Sequence, residues 1–176
     1  EKGRSYRYES CRFVSMVDPH LVVQHFSIRP LDGPCEIELR TGVDATTKNE
    51  MRPFGGPIAH YEIAKIWKKR PTLLVRTKRT GLWIAYSWLC RFSGGRLLER
   101  CTVFKDKKLL ECFRVKIPKD KVCSIDRFSY IVAGPSRKVA RMARRGAQTS
   151  ASRGFREIHD LHSRKWREKW EVANVE

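Results

Sequence analysis

The chain has 176 residues and carries 37 Lys and Arg against 19 Asp and Glu, a formal net charge of +18 with a sequence pI near 10.1. It is 41% hydrophobic, with five Trp, eight Phe and five Tyr, which suffices for one real core in a domain of this size. No run of about eighteen apolar residues is present to cross a membrane as a helix, and the opening EKGRSYRYES holds no apolar stretch of a secretory signal.

Residues 1–10 are basic and aromatic, and Tyr6, Arg7 and Tyr8 read as a strand fragment. Three apolar-alternating runs follow within 11–49. The first, Phe13 to Val17, is broken by Asp18-Pro19, because proline lacks an N–H and biases its predecessor away from helix. The second runs from Leu21 to Ile28. After the turn Pro30-Leu31-Asp32-Gly33-Pro34, the third sets Cys35, Ile37 and Leu39 on one face and Glu36, Glu38 and Arg40 on the other. Period-two alternation bounded by Asp, Pro and Gly predicts antiparallel strands with one buried face. Beyond Thr41 the composition turns polar, with a break at Gly55-Gly56-Pro57, and the spacing of Ile58, Tyr61, Ile63 and Ile66 predicts a short helix up to Trp67.

Strand periodicity resumes at Thr72. Leu73, Val75 and Thr77 share a face; Leu82, Ile84, Tyr86, Trp88, Cys90 and Phe92 share the next; Ser93-Gly94-Gly95 predicts a hairpin. Leu97 to Phe104 returns, Leu109 to Ile117 follows with Leu109, Phe113, Val115 and Ile117 inward, and a last strand runs from Val122 to Val132. These five segments predict an antiparallel meander with one buried and one wet face. Residues 134–152 read as a basic linker or a frayed helix interrupted by Gly146. From about Ser152, an acceptable N-cap, a helix is expected with Phe155, Ile158, His162, Trp166 and Trp170 on one packed stripe.

The six cysteines lack a CxxC pair, and five of them, Cys35, Cys90, Cys101, Cys112 and Cys123, lie mostly in strand-like runs. Free thiols in a reducing cytosol are the expectation. His20 and His25 have no third ligand at useful spacing, and His162, between Ile158 and Trp166, reads as a packed, hydrogen-bonded histidine rather than as half of a metal pair with His159. Glu36 and Glu38 lie on a solvated strand face, Asp32 in a turn, and Asp44 at a strand end as a cap. No phosphate loop or nucleophile motif appears, so no catalytic, cofactor-binding or metal-binding residue is assigned. The remaining candidate is a cationic ridge for polyanions: Arg137, Lys138, Arg141, Arg144 and Arg145, with Trp83, Tyr86 and Trp88 as stacking platforms.

Residues 11–49 also resemble a known family. RFVSMVDPHL (12–21), the PLDGP turn (30–34), EIELRTGVD (36–44) and the closing Asn49 are similar to the N-terminal β-domain of glycoside hydrolase family 65, the phosphorylases and hydrolases of maltose, kojibiose, nigerose and trehalose. A second match stands at Asp126-Arg127-Phe128, Gly154-Phe155, His162, Trp166, Trp170-Glu171 and Val175. The resemblance implies a mainly β fold, a portion of a galactose mutarotase-like antiparallel super-sandwich over residues 1–133. A basic linker (134–152) and an amphipathic helix (153–176) would lead into an (α/α)6 catalytic barrel. The family's general acid and phosphate loop belong to that barrel, so the resemblance implies a non-catalytic domain of an enzyme acting on α-glucosides. Its expected partners are the barrel, a second copy of the chain and, through the parent enzyme, small sugars; the expected location is cytoplasmic. The alternative that the charge suggests is a nucleic-acid-associated protein such as a ribonucleoprotein subunit.

Overall fold

Nine strands and two helices form among residues 3–48 and 59–173, the part of the chain that the computed structural model describes. Asn49, the Gly55-Gly56-Pro57 break, Ile58 and Val175 lie outside the described residues. The strands are β1 (Tyr6–Val14), β2 (Leu21–Pro30), β3 (Cys35–Asp44), β4 (Tyr61–Trp67), β5 (Thr72–Thr77), β6 (Trp83–Ser93), β7 (Arg96–Lys105), β8 (Lys108–Ile117) and β9 (Cys123–Gly134); the helices are α1 (Val139–Arg153) and α2 (Phe155–Ala173). They make two antiparallel sheets, one ordered β1-β2-β9-β6-β5-β4 and one ordered β3-β8-β7.

The strands match the alternation closely, but their pairing is not a meander. Gly94 and Gly95 both have positive φ, and a Cβ on Gly94 would collide with the Val122 carbonyl. The pair therefore carries the chain round a corner from the large sheet into the small one. β6 pairs with β5 and β9, while β7 pairs with β8, and β8 with β3. The segment expected to be helical is strand β4, whose register against β5 shifts between Ile63 and Lys65. Its Ile63, Ile66 and Tyr61 pack on the inter-sheet core, and edge pairing overrides their near-helical spacing.

Between the sheets, Leu73, Val75, Trp88, Cys90 and Ile125 meet Leu109, Phe113, Val115 and Ile117 of β8, the last four fully buried. The large sheet is not wet on its other face. Leu74, Trp83, Ala85 and Val132 pack against Val139, Ala140 and Ala143 of α1, and Leu21, Val23 and Phe128 against Ala151 of α1 and Ile158 of α2. The basic linker expected over 134–152 is thus a packed helix from Val139 onward. Val139, Ala140, Ala143, Ala147, Ser150 and Ala151 form its buried stripe, and small side chains let its axis sit close to the sheet. Ser152 caps nothing ahead of it, because its Oγ donates to the Gln148 carbonyl inside α1. Gly154, at positive φ, separates the two helices.

Gly146 is the contact that sets how closely α1 lies. A Cβ at this position would fall 2.5 Å from ring carbons of Tyr130 on β9. Gly146→Ala should raise helix propensity by about 1 kcal/mol. It is nevertheless expected to destabilise the protein by about 1–3 kcal/mol, because ring and helix must move apart. Urea unfolding of the two proteins checks this, and equal or higher stability of the variant would refute it.

Candidate functional site: a cationic helix face and an exposed tryptophan pair

The five basic residues singled out around α1 do not form one ridge. The Arg137 guanidinium lies over Trp83 at 4.6 Å from the ring centre, sharing that indole with Arg76 at 5.3 Å. Arg144 lies over Trp67 at 4.7 Å, with Lys65 over the same ring at 5.1 Å. Each cation–π contact contributes about 0.5–2 kcal/mol, and together they fix two guanidinium groups on the sheet side of the helix. Lys138 and Arg141 point into solvent. Arg145 lines a separate 430 Å³ cavity between α1, α2 and the loop containing Asp18 and His20. Among the described residues none of the five forms an ion pair with a carboxylate. The stacking platforms are closed: Trp83 and Trp88 are buried, and their faces are covered by arginines.

The interior holds a charged pair that the sequence reading missed. Arg127 of β9, 6% exposed, donates from Nη1 to Thr41 Oγ1 (2.9 Å) and Gln24 Oε1 (3.4 Å), and from Nη2 to Tyr86 Oη (2.9 Å). Its guanidinium lies 4.8 Å from the centre of Trp88. Trp88 Nε1 donates in turn to Glu111 (3.1 Å), which also accepts from Arg100 Nε at 2.7 Å. One indole therefore carries a cation on its face and a carboxylate on its N–H. Glu111 occupies the inward register of β8 between Leu109 and Phe113, and that break in the apolar alternation was the signal available in sequence. Burial, then the charge of Glu111, pushes the Cys90 thiol well above its usual range, so it is not a nucleophile.

The remaining candidates are structural. His162 Nδ1 accepts from the Met16 N–H, and its ring lies 4.4 Å from that of Phe13; burial, then His159, holds its pKa below the usual value. His25 pairs with Asp126 at 2.6 Å and stacks on Phe155, and His20 is bound to the Ile131 carbonyl. Asp44 is held at about 2 by hydrogen bonds from Lys108 and Thr46, so it stays ionised and cannot serve as a general acid near neutrality. Glu36 and Glu38 pair with Arg114 and Arg40 on the outer face of the small sheet, and Asp32 accepts from the Ser5 N–H. Cys35, Cys90 and Cys123 are buried, and Cys11, Cys101 and Cys112 are half-buried.

The far end of α2 departs most from expectation. Trp166 and Trp170 stack on each other, their rings 6.0 Å apart and 24° from parallel, but neither packs on the sheet. They are 42% and 65% exposed, and Val172 is 89% exposed. The first half of the helix is anchored by Phe155, Ile158 and His162. The two indoles, Val172 and Ala173, with the stems of Lys165, Glu168 and Lys169, form an open, largely apolar surface on this one helix.

The fold is a two-sheet antiparallel sandwich backed by a helix pair, and among its described residues no cluster of His, Cys, Asp and Glu could hold a metal ion. The family model for "Glycosyl hydrolase family 65, N-terminal domain" matches residues 1–169, and the chain belongs to that family. It is 22% identical over 178 residues to the kojibiose phosphorylase of Escherichia coli (strain K12), an alignment that covers 98% of this chain and 23% of that protein. A solved structure described as "Putative kojibiose phosphorylase from human microbiome" superimposes with a TM-score of 0.78 at 13% identity, over 97% of this chain and 22% of that one. The chain thus spans less than a quarter of both relatives. No described helix is long and apolar enough to cross a membrane.

Proposed function

We propose that the chain works as the non-catalytic N-terminal domain of a disaccharide phosphorylase or hydrolase acting on α-glucosides, seated on an (α/α)6 catalytic barrel through the end of α2. The observation that carries this is the Trp166–Trp170 pair. Two large indoles four residues apart, left in water on an otherwise amphipathic helix, are spent only where another surface covers them. On this reading the domain division is functional. The sandwich and α1 form one packed body, and the second half of α2 is the link that joins it to the barrel. The domain would shape the mouth of the sugar site, with a second copy of the chain as a further partner. A buried, unreactive thiol such as Cys90 fits a cytoplasmic enzyme.

The purified chain alone is expected to release no glucose or glucose 1-phosphate from kojibiose, maltose or trehalose. Mixed with the barrel encoded in the same gene, it should form a stable complex by size-exclusion chromatography, and Trp166→Ser/Trp170→Ser should abolish that complex without changing the fold of the chain. Turnover by the isolated chain that disappears in Asp44→Asn would overturn the proposal. So would a double variant that binds the barrel as well as the wild type.

A further inference from the structure

A recess on the opposite side of α1 from Arg145 has no role in the reading above. It has a volume of about 370 Å³ and is lined by Lys68, Lys69, Arg70, Arg100, Arg144 and Gln148, over a floor that includes Trp88 and Glu111. Three segments supply the five cations: the tight turn between β4 and β5, strand β7, and helix α1. Glu111 is the only carboxylate in the lining, and it is already engaged by Arg100 and by the indole N–H of Trp88. Among the described residues, Lys68, Lys69, Arg70 and Arg144 form no ion pair. Like charges gathered from three segments around one concavity repel, and an anion bound among them removes that cost.

We propose that this recess binds a phosphorylated small ligand, its phosphomonoester dianion held between the Arg100 and Arg144 guanidinium groups and closed over by Lys68, Lys69 and Arg70. Two features separate it from an arbitrary basic patch. Arg100 is held by Glu111 through Nε and Nη2 and Arg144 is held on Trp67, so both guanidinium groups are fixed in place before any ligand arrives, with the remaining N–H groups of Arg100 left to donate. Such preorganisation reduces the ordering cost of binding. The volume lies in the range of small-molecule sites and exceeds what a bare anion fills, which leaves room for an attached sugar whose hydroxyls Gln148 and Thr102 would meet. A nucleic-acid strand is a poorer fit, because Trp88 is buried and the half-buried Trp67 already carries Arg144 and Lys65 over its ring. The proposal uses no residue of α2 and does not depend on the barrel-docking function, so either can fail alone.

Isothermal titration of the chain with glucose 6-phosphate, glucose 1-phosphate and inorganic phosphate tests it, with glucose and sodium chloride as controls at constant ionic strength. Saturable one-to-one binding of at least one phosphate compound is expected, with none for glucose. A tighter constant for an ester than for inorganic phosphate identifies a sugar phosphate as the ligand; the reverse order identifies free phosphate. Arg144→Gln should weaken binding by about tenfold or more, the effect of losing a charge-assisted hydrogen bond. Arg145→Gln, which alters the same helix and the same net charge outside the recess, should leave the constant within about twofold. If Arg144→Gln does not fold, Lys69→Gln/Arg70→Gln on the exposed turn gives the same reading. Absence of saturable binding would refute the proposal, as would equal weakening by Arg145→Gln, or an RNA oligonucleotide that binds and is not displaced by any of the phosphate compounds.

Discussion

Phe128→Ala is expected to lower the unfolding free energy by about 3–5 kcal/mol, whereas Trp166→Ala should change it by less than about 0.5 kcal/mol. Phe128 is fully buried on β9, a strand paired on both sides, where it touches Leu21 and Val23 of β2, Ala151 of α1 and Ile158 of α2. Removing the ring opens a cavity at the one place where the sheet meets both helices, and a rigid central strand cannot collapse to fill it. Trp166 has comparable size and sits on the same amphipathic helix as Ile158, but it is 42% exposed, belongs to none of the buried clusters and stacks on Trp170, itself 65% exposed. Denaturant unfolding of both variants checks the pair. A loss at Trp166 near that at Phe128 would mean that the end of α2 folds back on this domain, and would remove the basis for docking it elsewhere.

The second large effect concerns Glu111. Replacing Arg100 by methionine leaves a carboxylate that is only 3% exposed with the Trp88 N–H and the Cys90 thiol as neutral partners and no counter-charge bonded to it. Breaking a buried ion pair by deleting one member costs about 3–5 kcal/mol; with Arg100 itself half-exposed, a value near 3 kcal/mol is expected. Adding Glu111→Gln to Arg100→Met should recover much of that loss, because a neutral amide still accepts from Trp88 and no longer needs a counter-charge. The coupling in this double-mutant cycle is the decisive quantity: additive losses would show that water, not Arg100, satisfies the carboxylate.

These two sites show why parts of the chain were legible and others were not. The four inward apolar residues of β8 follow the period-two rule, since a half-buried strand writes its environment into every second position, whereas Phe128 lies in the consecutively buried Arg127-Phe128-Ser129 of a strand covered on both faces. Glu111 breaks that rule and marks the interior pair, yet the partner that makes it tolerable, Arg100, comes from the neighbouring strand through the β7–β8 register, which no local pattern reveals. Arg127 was legible only as part of a family-like motif. Its role follows from Thr41, Gln24 and Tyr86, contributed by three other strands.

Alternation, turn residues and the family-like stretch over 11–49 determined by themselves that this protein is mainly β, antiparallel, and a family 65 N-terminal domain, because these are properties of short segments read in order. Pairing was decided in three dimensions. Gly94 and Gly95 look like a hairpin and act as a corner, since which strand accepts β7 depends on a β8 face that is already matched to β3. The cover on the outer face of the large sheet was decided there as well. α1 buries alanines rather than large apolar residues, and a stripe of small side chains among arginines reads as a linker until a sheet is present to pack against. The cations were visible as charge, but only the fold divides them: Arg137, ahead of α1, lies on Trp83, while the neighbours Arg144 and Arg145 go to Trp67 and to another cavity because a helix distributes neighbours in sequence around its circumference.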